Sequence, residues 1–211
     1  MITYEEIELR GPELQDVETL HKNISEAETN PLLMNSYYPL STVGVVEFLK
    51  VKVHAARERK GYLFSIYVEG EGPLGLLELG DIDWKSRHAD LSIWISKGFR
   101  GRGYEKKAAI AALHFAFKEL GMHKVSAHCA IDDDMLCPLY EKELVFAKEG
   151  TLREHYFHEG KHIGVLLYGI LEKEYLNLFG GKDVEISAQK SSGAGQRIEF
   201  QEGAKEPVYQ Q

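Results

Sequence analysis

Gly98-Phe99-Arg100-Gly101-Arg102-Gly103-Tyr104 is the stretch that decides the fold, because it joins a strand to the most strongly patterned helix of the chain. Ahead of it, Ala89-Asp90-Leu91-Ser92-Ile93-Trp94-Ile95 reads as a strand. Behind it, Ala109, Ile110, Leu113, Ala116, Phe117 and Leu120 form one apolar stripe at helical spacing, and Gly121 is a natural C′ residue. A glycine-rich turn at a helix N-terminus is an anion site. Free backbone N–H groups and the positive end of the dipole point at the ligand, and glycine lets a phosphate reach the backbone. Arg100, Arg102, Lys106 and Lys107 add positive charge, although the same residues also suit a plain turn with solvated basic side chains. A dinucleotide fingerprint fails here because Lys106 stands where a third glycine is needed. A Walker A loop fails because Tyr104-Glu105 follows Gly103 where Lys-Ser/Thr is required. The turn therefore suits a diphosphate of another kind.

Outward from the turn, Tyr62 to Glu69 and Leu74 to Ile82 read as strands joined through Gly70-Glu71-Gly72-Pro73. Ile7 and Leu9 mark an earlier strand. Leu14, Val17, Leu20 and Ile24 place a helix over about Glu13 to Glu28, and a second covers about Val45 to Arg59. The stretch from Asn30 to Gly44 is a loop with Pro31 and Pro39 as breakers. It carries Leu32, Leu33, Met34, Tyr37 and Tyr38. Val125 to Ile131 reads as a strand and Asp133 to about Glu143 as a short helix, and two closing strands turn at Glu159-Gly160-Lys161. The order β-α-α-β-β-β-α-β-α-β-β gives a mostly antiparallel sheet with one strand–helix–strand crossover. A domain over residues 1–179 is followed by a polar tail, 180–211, expected to be disordered. Alternation in Val184-Glu185-Ile186 and Ile198-Glu199-Phe200 leaves a small hairpin as the other reading of the tail.

The 211 residues carry 25 Lys+Arg against 33 Asp+Glu, a net charge of −8. That balance lacks the basic footprint of a nucleic-acid binder but suits a cationic small molecule or a basic peptide. Two cysteines, Cys129 and Cys137, are too few for a zinc cage or a disulfide framework. His155, His158 and His162 fall in a strand–turn–strand segment, where His155 and His158 face opposite ways, so no metal site is expected. Without a signal sequence or an apolar run of membrane-spanning length, a cytoplasmic protein is expected, with no membrane partner.

An ordered set of segments resembles the GNAT superfamily of acyl-CoA-dependent N-acetyltransferases, in its RimJ/RimL-type branch. The glycine turn resembles that superfamily's pyrophosphate loop, Q/R-x-x-G-x-G/A, with Gly98 in place of the first Gln or Arg. Asp81 to Ala89, Leu120 to Val125, Leu139-Tyr140-Glu141-Lys142, Glu149 to Glu154 and Leu167 to Leu171 resemble the segments around it. Leu120 to Leu171 also resembles spermidine acetyltransferases. Asp133 stands where the fourth-helix motif usually has Asn. Glu143-Leu144-Val145-Phe146 replaces the familiar Lys-x-Gly-Phe ending and is one residue longer after Tyr140. Counting back from Phe146 without a gap would instead give Glu141 the place of Tyr140; the gapped count preserves Leu139-Tyr140.

The resemblance implies a mixed α/β (α+β) fold with its central sheet splayed at the acyl-CoA site and flanked by helices. It implies acetyl-CoA as co-substrate, no metal, and direct transfer of an acetyl group to a primary amine. Backbone groups of Phe99, Arg100, Gly101, Arg102, Gly103 and Tyr104 would hold the diphosphate. Ile93, Trp94 and Ile95 would line the acetyl group, and Asp133 and Tyr140 the far side of the cofactor. Tyr140 is then the candidate general acid for the leaving thiolate, since a phenol is protonated at neutral pH. The amine needs a base, for which Asp90 and Glu78 are the candidates, although each also fits an outward strand carboxylate. Cys137 is expected to pack rather than act as a nucleophile. The acceptor that the RimJ/RimL resemblance implies is a protein N-terminal α-amino group, with a polyamine as the alternative. A non-catalytic acyl-CoA-binding module is the alternative of another class, and a homodimer is compatible with all of these.

Overall fold

The computed structural model describes residues 1–25, 41–158 and 160–187. The chain runs β1 (Ile2–Tyr4), β2 (Ile7–Arg10), α1 (Val17–Ser25), α2 (Thr42–Arg57), β3 (Tyr62–Val68), β4 (Gly72–Asp83), β5 (His88–Ile95), α3 (Tyr104–His114), β6 (Lys124–Ala130), α4 (Leu136–Pro138), β7 (Ala147–His158), β8 (Lys161–Leu171), α5 (Glu172–Phe179) and β9 (Glu185–Ile186). The nine strands make one sheet in the order β7-β8-β6-β5-β4-β3-β2-β1-β9. Among the described residues only β5 and β6 run parallel, as a crossover through α3 requires.

Helices cover both faces. On one, Val17, Leu20 and Ile24 of α1 and Val45 and Leu49 of α2 pack on Leu63, Leu76 and Trp94. On the other, α3 presents Ala108, Ala109, Ala111 and Ala112 with Ile110 and Leu113, all buried. Those small side chains let α3 lie close against Leu77, Leu91, Ile93 and Ile95. Successive strand residues alternate faces. His88, Asp90, Ser92 and Trp94 therefore share the α1/α2 face, while Ala89, Leu91, Ile93 and Ile95 share the α3 face.

Several elements differ from the sequence expectation. β1 and α5 were not foreseen: the first is only three residues long and the second starts directly where β8 ends. α2 begins at Thr42, three residues before Val45, because Ser41 caps it by accepting a hydrogen bond from Gly44 N at 3.1 Å. The stripe after the glycine turn is α-helical to His114 and then closes in a π-helical turn, Phe115–Glu119. The expected helix from Asp133 to Glu143 is three α-helical residues, α4, continued by a second π turn over Leu139–Glu143. Past residue 179 the chain is still paired: Glu185 and Ile186 ladder onto Thr3 and Ile2, and Ser187 N donates to Met1 O at 3.0 Å. The other half of the alternative hairpin, 198–200, lies outside the described residues, as do Leu32, Leu33, Met34, Tyr37 and Tyr38.

Candidate active site

The parallel ladder between β5 and β6 runs from His88↔Lys124 to Leu91↔Ala127 and stops there. Both strands continue. Ser92 to Ile95 stay paired with β4, from Glu78↔Ser92 to Gly75↔Ile95, and His128 to Ala130 stay paired with β8, from Leu167↔His128 to Val165↔Ala130. The sheet thus opens between residues 92–95 and 128–130, and the glycine turn stands at the end of β5.

In that turn Gly101 and Gly103 adopt positive φ, 73° and 83°, which side-chain-bearing residues rarely do. Gly103 is the N-cap of α3 and offers no side chain to cap it, so the helix's first N–H groups are left for a ligand. Three loop donors are already engaged: Phe99 N donates to Ser96 O at 2.9 Å, Arg100 N to Lys97 O at 3.4 Å, and Gly101 N to Glu105 Oε1 at 3.2 Å, with Glu105 buried. The basic residues divide. Arg100 donates from Nε to Ile95 O at 2.9 Å. Arg102 lies over the Phe99 ring and 3.8 Å from Glu71. Lys106 is 3.8 Å from Glu143. Lys107 turns to the β1–β2 corner, 2.7 Å from Glu6 and 2.9 Å from Glu5, and these two carboxylates raise its pKa and consume its charge.

On the α3 face of the opening stands Tyr140, carried by the second π turn. Its ring lies 5.4 Å from Phe146 and 5.5 Å from Tyr168, and it is fully buried. Burial pushes its phenol far above the ordinary range, with Cys129, Asp133 and Cys137 adding to the effect. Cys129 and Cys137 touch, Sγ to Sγ 3.1 Å, and burial raises the Cys129 thiol. The extra residue after Tyr140 is taken up by the π turn, in which Leu144 N donates to Leu139 O at 2.9 Å and Phe146 N to Tyr140 O at 2.8 Å. Val145 then sits at φ 56°, the left-handed position that glycine occupies in the familiar ending. Glu141 is exposed and accepts from Tyr168 OH at 2.8 Å, so Tyr140 and not Glu141 points inward. Asp133 caps α4, accepting from Leu136 N at 2.7 Å and Met135 N at 3.0 Å, and burial raises its pKa.

On the α1/α2 face the two base candidates have different surroundings. Glu78 is gripped by Lys52 of α2, Nζ to its two oxygens at 2.6 and 2.8 Å. Asp90 is level with Ser126 across the last parallel rungs. Its Oδ1 is buried without a hydrogen bond, with His88 Nε2 at 3.4 Å, and burial raises its pKa. His88 Nε2 lies 2.7 Å from Ser126 Oγ. Beside them is His128, which sequence reading passed over. An isolated histidine in an apolar strand gives no signal until the strand pairing places it at the opening.

Five buried side-chain polar atoms have no hydrogen-bond partner among the described residues, and Asp90 Oδ1, Trp94 Nε1 and Tyr140 OH are three of them. Buried polar groups are nearly always satisfied. Their gathering around the opening fits a site that takes a polar, partly apolar ligand through the sheet, as a thioester on a diphosphate-bearing arm is. Among the described residues no group of His, Cys, Asp and Glu is placed to hold a metal ion, and no helix is long and apolar enough to cross a membrane.

Comparison with known proteins agrees with this geometry. The acetyltransferase (GNAT) domain family matches residues 6–142. The spermidine N(1)-acetyltransferase of Vibrio cholerae serotype O1 is 29% identical over 175 residues, 82% of this chain and 96% of that protein. The putative ribosomal N-acetyltransferase YdaF of Bacillus subtilis is 28% identical over 101 residues, 48% of this chain and 55% of its own. A crystal structure of spermidine N-acetyltransferase from Vibrio cholerae in complex with CoA and spermine superposes with a TM-score of 0.70 at 27% identity, covering 82% of this chain and 99% of the other. The chain belongs to the GNAT acetyltransferase family, and is an N-acetyltransferase that uses acetyl-CoA.

Proposed function

We propose that this enzyme acetylates a primary amine of a polyamine of the spermidine class. The observation that carries the reading is the α1/α2 face of the opening, where Asp90 Oδ1 is buried without a hydrogen bond, faced by His88 Nε2 at 3.4 Å, and offers a carboxylate to a cation. Asp81 is among the charges that act on it. The net charge of −8 favours a polycation, and relatives matched over nearly their whole length are spermidine acetyltransferases. A protein N-terminal α-amino acceptor is the second reading, favoured by the likeness to YdaF over about half of each chain.

Acetyl-CoA, when bound, supplies an acetyl group activated as a thioester. Backbone N–H groups of Arg102, Gly103 and Tyr104, at the start of α3, hold its diphosphate, with the side chains of Arg100 and Arg102 beside it. Among Ile93 to Ile95, the backbone N–H groups on the edge turned from β4, where the ladder to β6 has ended, receive the charge that develops on the acetyl oxygen, a contribution that needs no special side chain. Trp94 and Asp133 border the arm. Tyr140, protonated at every working pH, gives its proton to the departing sulfur from the α3 face. Asp90 holds the acceptor ammonium on the opposite face. Glu78, neutralised by Lys52, positions α2 rather than meeting the amine.

The test is acetyl-CoA-dependent release of CoA with spermidine and with N-terminal peptides as rival acceptors. Preference for spermidine by tenfold or more in kcat/KM, by an order-of-magnitude criterion, supports the proposal, and preference for peptides replaces it. Turnover with neither amine, while acetyl-CoA still raises the melting temperature, would favour the binding-module alternative. A homo-oligomer is the proposed assembly, as a relative at 26% identity is described as dodecameric, and light scattering gives its mass.

A further inference from the structure

We infer that His128 is the base that takes the proton from the acceptor ammonium, a role that rests on the acetyl-transfer reading above. His128 is the first β6 residue beyond the last parallel rung, Leu91↔Ala127, so its backbone forms the edge of the opening. Alternation places its side chain with that of Ser126 and therefore with Asp90, which is level with Ser126. Asp90 and His128 are thus diagonal neighbours across two strands, within reach of each other's side chains. A nitrogen entering the opening from the α1/α2 face passes between Ser92 and His128, with Asp90 behind it. Tyr140 and Cys129 lie on the other face and cannot serve this end.

Chemistry selects between the groups on this face. Glu78 is held by both oxygens to Lys52. Asp90 lies behind the edge of the opening with its Oδ1 already faced by His88 Nε2 at 3.4 Å, whereas His128 stands at the edge itself. Burial lowers the pKa of His128, so the ring is neutral and ready to accept at pH 7, while Asp90 stabilises the imidazolium once formed. The charged and titratable groups facing the pair are Asp81 from β4, His88 from β5, Lys124 from β6 and His155 from β7. His155 opposes protonation of His128, and Asp81 favours it.

The step balances. An ammonium N–H bond breaks and its proton goes to the His128 ring; the freed lone pair forms the N–C bond as the C–S bond breaks. Tyr140 gives its proton to the departing sulfur, and the second proton that the nitrogen sheds as the amide forms restores the Tyr140 phenol. Each turnover therefore releases one net proton, which leaves from His128 to solvent.

Two measurements test the assignment. In the first, the kcat/KM of wild type and His128→Gln is followed from pH 5 to 9 with spermidine and an N-terminal peptide. Wild type should lose activity tenfold per pH unit below the usual imidazole range. His128→Gln should fall by about a hundredfold at pH 7, lose that acid limb, and keep the melting shift produced by acetyl-CoA. A variant that retains the wild-type profile overturns the role of His128 alone. A wild type that neither turns over nor is stabilised by acetyl-CoA overturns the acetyl-transfer reading with it. In the second, NMR titration of the His128 ring, which needs no acceptor, should give a pKa below about 6.5, lower still in Asp90→Asn. An Asp90→Asn titration identical to wild type overturns the pairing.

Discussion

Replacing Tyr140 by Phe should make the protein more stable and less active at once. The phenol is fully buried and its OH has no partner, while its ring is packed between Phe146 and Tyr168. Burying an unsatisfied polar group costs about 1–3 kcal/mol, and Phe keeps the ring without the hydroxyl. A gain of about 2 kcal/mol in a chain of this size should raise the melting temperature by roughly 4–8 °C. The same change removes the proposed proton donor to the thiolate, and general acid catalysis contributes about 10²–10⁴ in rate. The shift in melting temperature caused by acetyl-CoA should stay as in wild type, because the diphosphate is held elsewhere. Differential scanning calorimetry and CoA release with spermidine read the two effects separately. Since the phenol is pushed far above its ordinary range, the wild-type rate should show no falling limb from Tyr140 up to about pH 10. A lower melting point in Tyr140→Phe would show that the OH is satisfied in solution, and an undiminished kcat would show that the sulfur takes its proton from another group.

Asp90→Asn should stabilise the protein at pH 7 and not near pH 3. The folded carboxyl has a raised pKa, so its contribution is intact where both states are protonated and is lost as pH climbs through the folded pKa; melting curves across that range check the sign. Val145→Gly should relieve left-handed strain of about 1–2 kcal/mol against a glycine entropy cost of about 0.5–1 kcal/mol, so a melting point a few degrees higher is expected, and a lower one refutes the account of the π turn. Glu105→Gln removes a buried negative charge whose oxygen occupies Gly101 N, and should tighten acetyl-CoA binding about fivefold, more at low salt, by calorimetric titration. Gly75→Ala should melt several degrees lower and bind acetyl-CoA poorly, because a Cβ there would run into the Trp94 carbonyl and come within 2.8 Å of Ile95 Cα.

Much of this was legible in the sequence, and the failures have physical reasons. The glycine turn could be read because only a positive φ at Gly101 and Gly103 lets the chain pass from β5 into α3, and glycine marks such positions openly. The π turn could not: one extra residue in a short helix leaves a miscount in a motif, and only the 2.8 Å bond from Phe146 N to Tyr140 O shows where it went. Lys107 looked like a cofactor cation because sequence distance hides Glu5 and Glu6, which are about a hundred positions away and yet bonded to it. Asp90 and Glu78 looked alike as strand carboxylates. The lysine that separates them comes from α2, 26 residues away from Glu78.

The division of labour at the opening follows from strand geometry. Side chains that alternate along β5 and β6 cannot all serve one ligand from one side. Here Asp90, Ser92 and His128 face α1 and α2, and Ile93 and Cys129, with Tyr140 beside them, face α3. A donor and an acceptor that approach from opposite faces therefore meet only where the strands part. Beside the parting, the β3–β4 register slips between Ile66 and Tyr67, leaving Leu74 as an extra residue, and a bulge adds twist. The next residue, Gly75, pairs with Ile95 so closely that only glycine fits, which holds the end of β5 against β4 where its ladder to β6 has ended. The site is thus written in one glycine of β4 as much as in the three of the turn, and the acid and base proposed here, Tyr140 and His128, sit on different faces of the sheet rather than in a triad.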